Sequence, residues 1–291
     1  MRKSALSTVA AVLATACVCG PSYASNPLVG IIEGENWDLP LLPSANVFIQ
    51  SGMAQRNVKD YDTSGNSTAS ATGGTTVEGM TRLAHVFSFE SIPDIGFLIE
   101  VFQPEFSTPT GGGNTVTGLG DPFVHAVAYK RFFDKNLLLG VGNILSFPVG
   151  SNEVSNHAWI DAPNIIADYK IGRLGFDGTL ATGLFSKVSN GCTAQAGCAQ
   201  PGNLYTAEAA VRYVVTPWFV PFLSYTVQTE DHGHLTAAPI DFPGSRENDI
   251  GAGARFNLGH LRWFSIWYYN GINGANTTRA NGLYVKFATG L

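Results

Sequence analysis

Alternation of apolar and polar side chains is the sequence feature that most constrains the fold of this chain. Between Leu204 and Thr216, the residues of one parity form an unbroken apolar stripe, whereas the other parity carries Glu208 and Arg212. Successive side chains of a β-strand point to opposite faces of the sheet. This segment therefore predicts a strand with one apolar face and one face that carries charge.

Further segments alternate in the same way. Near the C-terminus, Leu283, Val285 and Phe287 share one parity, and Lys286 lies on the other. The segments 219–230 and 249–256 repeat the pattern. A membrane barrel alternates because its strands face lipid on one side and the lumen on the other, but a soluble β-sandwich alternates too. Alternation by itself leaves both architectures open.

The composition narrows the class of protein. Charged residues make up 13% of the chain, about half of the ~25% that is typical of soluble domains. An aromatic content of 11% is too high for a disordered chain. After the N-terminal segment, no apolar run approaches the ~18 residues of a transmembrane helix. The net charge is −5, and the sequence has no basic stripe that could neutralise the phosphates of a nucleic acid. We therefore expect no nucleic-acid partner.

Loop lengths favour the barrel. Short connections at 91–94, 134–136, 171–173, 216–217 and 258–260 alternate with long ones at 59–74, 107–117, 150–157, 189–203, 229–246 and 271–278. Short periplasmic turns and long extracellular loops are typical of outer-membrane barrels. The sequence predicts an all-β, antiparallel transmembrane barrel of about 12 strands. The predicted strands are 45–57, 75–90, 95–106, 118–132, 137–148, 159–170, 174–187, 204–215, 218–229, 248–257, 262–271 and 280–291.

The N-terminus has the features of an export signal. Arg2 and Lys3 precede an uncharged run, and small residues at Ser22 and Ala24 mark a cleavage site. We expect residues 1–24 to be a signal peptide, with a lipoprotein signal that ends at Cys17 as the alternative. The predicted barrel occupies 45–291 and lies in the bacterial outer membrane.

Residues 25–44 form a separate periplasmic segment. Its apolar residues are mixed with Pro40 and Pro43, a pattern that suits neither a helix nor a central strand. We expect this segment to be either a plug in the lumen or a disordered tail. The candidate plug residues are Trp37, Leu39, Leu41 and Leu42.

The alternation also assigns charged residues to the lumen. The candidate lumen-lining residues are Glu78, Arg82, Glu100, Asp168, Lys170, Asp177, Lys187, Glu208, Arg212, Asp249, Arg255 and Lys286. Such charges line a selective path or fill a packed lumen with ion pairs, and the sequence does not distinguish the two. We expect Trp263, Trp267, Tyr268 and Tyr269 to contribute to an aromatic girdle at the membrane interface.

Few residues suggest a disulfide, a catalytic site or a metal site. Cys192 and Cys198 lie in one polar loop of an exported chain and predict a disulfide. His85 and Ser88, three apart on a strand, face opposite ways and do not form a catalytic pair. We expect no catalytic residue, no metal site and no cofactor.

Two short motifs carry a family resemblance. The sequence Gly118-Leu119-Gly120-Asp121-Pro122 resembles the Gly-x-Gly-Asp signature of the "MetA-pathway of phenol degradation" family, which includes sphingosine-uptake-type outer-membrane proteins. The strand that closes in Pro148-Val149-Gly150 is similar to that family's Pro-Thr-Gly strand end, with Val149 in place of threonine. The resemblance implies an outer-membrane channel or transporter for small hydrophobic or aromatic compounds.

The sequence thus supports several functions, of which uptake of such solutes is the main one. A structural or adhesive barrel is the alternative, and an outer-membrane lipid hydrolase is a further one. The expected partners are outer-membrane lipid, a small hydrophobic or aromatic solute and the outer-membrane assembly machinery. We expect a monomer. The final residue is Leu291, where many barrels have phenylalanine.

Overall fold

The computed structural model of the chain describes residues 39, 43–69, 74–109, 114–152, 154–194, 196–259 and 261–291. The predicted signal peptide and most of the 25–44 segment, including Trp37, Leu41 and Leu42, lie outside the described residues. Within these residues, no helix is long and apolar enough to cross a membrane.

Twelve long antiparallel strands form the wall of a closed barrel. They are β1 (Ser44–Tyr61), β3 (Thr75–Ser88), β4 (Ile95–Pro109), β6 (Phe123–Phe132), β7 (Leu137–Ser146), β8 (Ile160–Ile171), β9 (Leu174–Phe185), β11 (Leu204–Tyr213), β12 (Phe219–Glu230), β15 (Ser245–Gly259), β16 (Arg262–Ala275) and β17 (Thr277–Gly290). Each pairs with the next in this order, and β17 pairs with β1 to close the wall. The predicted fold class and strand number are confirmed.

Short strands decorate one end of the barrel. They are β2 (Ser67–Ala69), β5 (Thr115–Leu119), β10 (Ala199–Gln200), β13 (Gly233–Leu235) and β14 (Asp241–Phe242). β2 and β5 extend the wall beside β1 and β4, whereas β10, β13 and β14 form a small sheet of their own. All of them lie in the long connections, so the extracellular end is structured by pairing between loops.

The two faces of the wall differ as alternation predicts. Because the wall is a single sheet, buried side chains face the interior and exposed ones face outward. On β11, Glu208 and Arg212 are buried, whereas Tyr205, Val211 and Tyr213 are exposed. An apolar outer face around a polar inner face is the arrangement of outer-membrane barrels, in which closed pairing satisfies every ladder group within the bilayer.

The opposite end of the barrel has tight turns. Phe133, Asp134 and Lys135 all adopt positive φ angles between β6 and β7. Gly172 turns the chain between β8 and β9 with a φ of 58°, a conformation that favours glycine. Both chain ends of the wall lie here, where the amide of Leu291 donates to the carbonyl of Asn46 at 3.0 Å. This end is therefore periplasmic in an outer-membrane barrel.

Candidate functional site: the lumen of the barrel

Most of the predicted lumen residues face the interior. The buried ones are Arg82, Glu100, Asp168, Asp177, Glu208, Arg212, Arg255 and Lys286. Glu78, Lys170 and Asp249 are half-buried on the inner faces of β3, β8 and β15. Lys187 is exposed and lies beyond the end of β9. The structure thus places Lys187 outside the lumen, because the strand ends two residues earlier than alternation suggests.

Three charged side chains form a buried cluster on β8, β9 and β11. The guanidinium of Arg212 donates from Nη1 to Asp177 Oδ2 and from Nη2 to Asp168 Oδ1. A side chain at Gly175 would collide with this guanidinium, so glycine makes room for it. We call Asp168, Asp177 and Arg212 the arginine cluster. A buried charge of this kind is stable only when it is paired.

A second polar group crosses β3, β4 and β6. Arg82 Nη2 donates to Glu100 Oε1 at 2.7 Å, and its guanidinium lies 4.4 Å from the centre of the Phe102 ring. His125 Nδ1 lies 3.3 Å from the other oxygen of Glu100. On its far side, His125 Nε2 lies 3.2 Å from Asn164 Nδ2. The chain of contacts continues the polar lining towards β8.

Apolar side chains cover the inner wall directly below this group, at the ends of the strands that adjoin the short turns. This apolar patch consists of Val47, Ile49, Ala84, Val86, Leu98, Val127, Trp263 and Ala288, all buried. The patch borders a small, partly open cavity with about 60 Å³ accessible to the centres of water-sized molecules, whose polar lining includes Arg82, Glu100, His125 and Lys286. An apolar surface inside an otherwise polar lumen offers a place to bury a hydrophobic solute.

Three of the four aromatic residues of β16 that were predicted for the membrane interface lie inside the barrel. Trp263, Trp267 and Tyr269 face the lumen, and Tyr268 alone of the four faces outward, with 51% of its surface exposed. The predicted girdle was wrong because the prediction followed residue type and not position along the strand. Tyr268 is even-numbered and the other three are odd-numbered, so alternation already places them on opposite faces. Trp267 stacks on Tyr284 with ring centres 3.9 Å apart, so aromatic rings line this side of the lumen.

The outer girdle is built from other residues. Phe87, Phe89 and Phe97 contact one another at the turn between β3 and β4, with ring centres 5.4–5.5 Å apart. His85 stacks on Phe87, and its Nδ1 lies 2.7 Å from Asn46 Oδ1. His85 therefore belongs to the periplasmic interface rather than to a catalytic pair.

The Gly-x-Gly-Asp motif fastens a loop to the extracellular part of the wall. Asp121 accepts hydrogen bonds from the amides of Gly150 and Asn156 and from the hydroxyl of Ser155. Gly150 packs against the backbone of Gly120 so closely that a side chain would not fit between them. The motif and the Pro148-Val149-Gly150 strand end are thus two sides of one contact.

A disulfide joins Cys192 and Cys198 in the loop after β9, as predicted. The Cys198 amide donates to Thr236 Oγ1 at 2.8 Å, and its carbonyl accepts from the Thr236 amide at 2.9 Å. These bonds tie the disulfide loop to the loop after β12, whose histidines His232 and His234 are exposed. Among the described residues, no group of three or more histidine, cysteine or acidic side chains has an arrangement that could hold a metal ion.

Of the candidate plug residues, the structure describes Leu39. It is buried against the apolar patch and lines the same cavity. Its carbonyl accepts hydrogen bonds from Arg131, at 3.3 Å from Nε and 3.0 Å from Nη2. Arg131 also approaches Asp168 at 3.9 Å, so it connects Leu39 to the arginine cluster.

A family model matches residues 59–287, and its description is "Putative MetA-pathway of phenol degradation". The fold is similar to that of an outer-membrane channel from Pseudomonas putida F1, with a TM-score of 0.78, 15% identity, and coverage of 87% of this chain and 98% of that one. It is also similar to the P. putida toluene transporter TodX, with a TM-score of 0.50, 7% identity, and coverage of 91% and 93%. No curated protein sequence matches the chain.

Proposed function

Since the chain belongs to the MetA-pathway of phenol degradation family, we propose that it is an outer-membrane channel that takes up small hydrophobic or aromatic compounds. The observation that carries this proposal is the apolar patch inside the lumen, beside a cavity whose lining is mostly aliphatic and aromatic. The lumen of a porin, which is a water-filled channel, is polar. The patch instead gives a hydrophobic solute a surface that excludes water.

The proposal is tested by filling the cavity. Ala84 lines it, so Ala84→Trp places a large ring in the space, whereas Leu83→Trp puts the same ring on the outer face, where Leu83 is 53% exposed. We expect cells with the wild-type protein or Leu83→Trp to take up radiolabelled toluene faster than cells without the protein. Ala84→Trp should remove that gain while the barrel still assembles. Equal uptake in all strains would contradict the proposal.

We further propose that the N-terminal segment, of which the structure describes Leu39, acts as a plug at this site. The burial of Leu39 and its two hydrogen bonds from Arg131 support this reading. Leaving such a side chain in water forfeits ~1.5–3 kcal/mol of burial free energy. We expect deletion of 25–42 to raise single-channel conductance in planar bilayers. Unchanged conductance in a deletion variant that assembles would mean that the segment is a tail and does not plug the lumen.

We propose a sideways exit for the solute at an interruption in the ladder between β8 and β9. In the register of β8 with β9, the pairs skip Ala162 and Pro163, and proline has no amide to donate to a ladder. A groove on the outer face at this point is lined by residues that include Val141, Ile165, Leu180, Tyr205 and Val227. We expect Pro163→Val, which restores a donor, to slow delivery of a hydrophobic solute into lipid without weakening its binding. Faster delivery would exclude this route.

We propose a monomer that is inserted by the outer-membrane assembly machinery and that catalyses no reaction. A structural or adhesive barrel would give no solute flux into liposomes, and a lipid hydrolase would release fatty acids from phospholipid. Flux without hydrolysis supports the channel, and hydrolysis that depends on His85 would overturn it.

A further inference from the structure

The cavity in the lumen and the groove on the outer face approach each other at one place in the wall. On β8, Ile166 lines the cavity, and the neighbouring inward-facing residue, Asn164, lines the groove. On β6, His125 lines the cavity, and its Nε2 lies 3.2 Å from Asn164 Nδ2. The contact between these two side chains therefore lies between the two spaces. We call His125 and Asn164 the gate pair.

The strand between them, β7, has no side chain at this point. The backbone registers place Gly142 beside Val127 of β6 and beside Asn164 of β8. A Cβ atom at Gly142 would lie 2.8 Å from Asn164 Oδ1 and 2.9 Å from Val127 Cγ2. Val127 lines the cavity, and Gly142 lines the groove. Glycine thus lets side chains of β6 and β8 meet across β7, and it keeps the partition between the two spaces thin.

The ladder is interrupted directly beside the gate pair. The pairs between β8 and β9 skip Ala162 and Pro163 and resume where Asn164 pairs with Ala181. The inward-facing neighbours Ala162 and Ala181 are buried and small, so Asn164 is the bulkiest of these three side chains. The side chain of Asn164 therefore covers the interruption from the inside.

Asn164 is held more loosely than the other half of the gate pair. Its Nδ2 lies 3.4 Å from the carbonyl of Ala162, and its Oδ1 lies 3.4 Å from His125 Nε2, both beyond the usual range of such hydrogen bonds. A neutral hydrogen bond also contributes little net free energy. The far side of the His125 ring contacts Glu100, which is fixed by its ion pair with Arg82. We therefore expect Asn164 to move and His125 to stay.

We propose that Asn164 is the gate between the cavity and the outer groove. When its side chain turns away from His125, a hydrophobic solute in the cavity passes Gly142 and leaves through the interruption beside Pro163. This inference rests on the proposed function, because it concerns the sideways exit from the same lumen. It assigns Asn164 a role in the rate of delivery and none in the affinity of the cavity.

Shortening the gate residue should speed delivery. Asn164→Ala removes the amide that contacts His125, so uptake of radiolabelled toluene by cells should rise about three- to tenfold above that of the wild type. Equilibrium binding of toluene to the full chain in detergent micelles should stay close to the wild-type value. Asn248→Ala is the matched control, because Asn248 is also buried but binds Asn273 on β16. The control should leave uptake unchanged.

A bulkier neighbour should have the opposite effect. Ala181→Leu adds a side chain opposite Asn164 in the register of β8 with β9. Uptake should fall severalfold, whereas binding in micelles should persist because Ala181 does not line the cavity. If overpacking prevents assembly of this variant, Asn164→Ala still decides the question, because it only removes atoms.

A double variant shows whether the gate leads out of the cavity. Ala84→Trp fills the cavity, so adding Asn164→Ala to it should not restore uptake. A rise in the double variant as large as in Asn164→Ala alone would indicate a simple leak and would overturn the inference. Unchanged uptake in both Asn164→Ala and Ala181→Leu, with toluene still bound and taken up by the wild type, would overturn the gate alone. If toluene neither binds to the wild type nor enters through it, the proposed function fails as well.

Discussion

Two sectors of the inner wall fill the same end of the barrel in different ways. On β8, β9 and β11 the arginine cluster packs three charges into direct hydrogen bonds. On β1, β3, β4, β6, β16 and β17 the apolar patch leaves a cavity beside it. The first arrangement connects three strands of the wall and leaves no space for a solute, whereas the second leaves such a space. Polar lining in a narrow barrel is therefore no guide by itself to where a solute binds.

The largest expected effect comes from the arginine cluster. Asp168 is fully buried, and Asp168→Ala leaves Arg212 short of one partner in a buried site. We expect a loss of about 3–5 kcal/mol in the free energy of unfolding, measured by urea titration in micelles. Replacing the cluster as a whole, with Asp168→Leu, Asp177→Leu and Arg212→Met, should cost much less because the three charges that pair with one another are removed together. If Asp168→Ala were as stable as the wild type, the arginine cluster would not contribute to stability.

A smaller effect is expected where the two sectors meet. Leu138 is fully buried on β7 and pairs in register with Asp168. Leu138→Ala should lower the free energy of unfolding by about 2–3 kcal/mol, because it opens a void in a packed region. Leu139→Ala, its outward-facing neighbour, is the matched control and should change little because lipid fills the space. Equal losses in the two variants would mean that the inner and outer faces are not distinguished by packing.

The cavity sector should tolerate truncation better. Ile49 lines the cavity, so Ile49→Ala enlarges an existing space instead of creating a new one. We expect a loss of about 1–2 kcal/mol, below the usual range for a fully packed isoleucine. The same urea titration measures it. A loss as large as that of Asp168→Ala would show that this sector is a packed core and would weaken the case for a binding site.

The smallest effect is expected outside the lumen, at the exposed carboxylate of Asp62. Hydrogen bonds from the side chain and amide of Asn66 hold the pKa of Asp62 below its ordinary value of 3.8. Because the folded-state pKa is lowered, the contribution to the turn is present above pH 3.8 and is lost as the pH falls through the lower folded value. The protection factors for hydrogen exchange at the Ser64 and Asn66 amides, which donate to Asp62, should fall there. Protection factors that stay constant as the pH is lowered would contradict this.

Alternation predicted the fold because it is a local property that closed barrels impose on every strand. The same parity placed Glu208 and Arg212 inside, and the cysteine pair in one loop predicted the disulfide. The apolar patch was not predicted, because its members come from six strands and only the closed barrel brings them together. The position of Trp263 was predicted wrongly because an aromatic residue is common both at a membrane interface and in the wall of a binding site. The sequence around Asp121 did not indicate which loop this residue binds.

Carbene labelling tests directly whether a hydrophobic solute enters the cavity beside the apolar patch. A small photoreactive aryl diazirine is added to the protein in outer-membrane vesicles, irradiated, and the labelled residues are read by mass spectrometry. Outward-facing residues such as Leu180 should be labelled by probe dissolved in lipid. We expect additional labelling of the inward-facing Val127 and Trp263, which excess toluene should reduce, and no labelling of Asp177. Labelling confined to outward-facing residues would contradict this expectation.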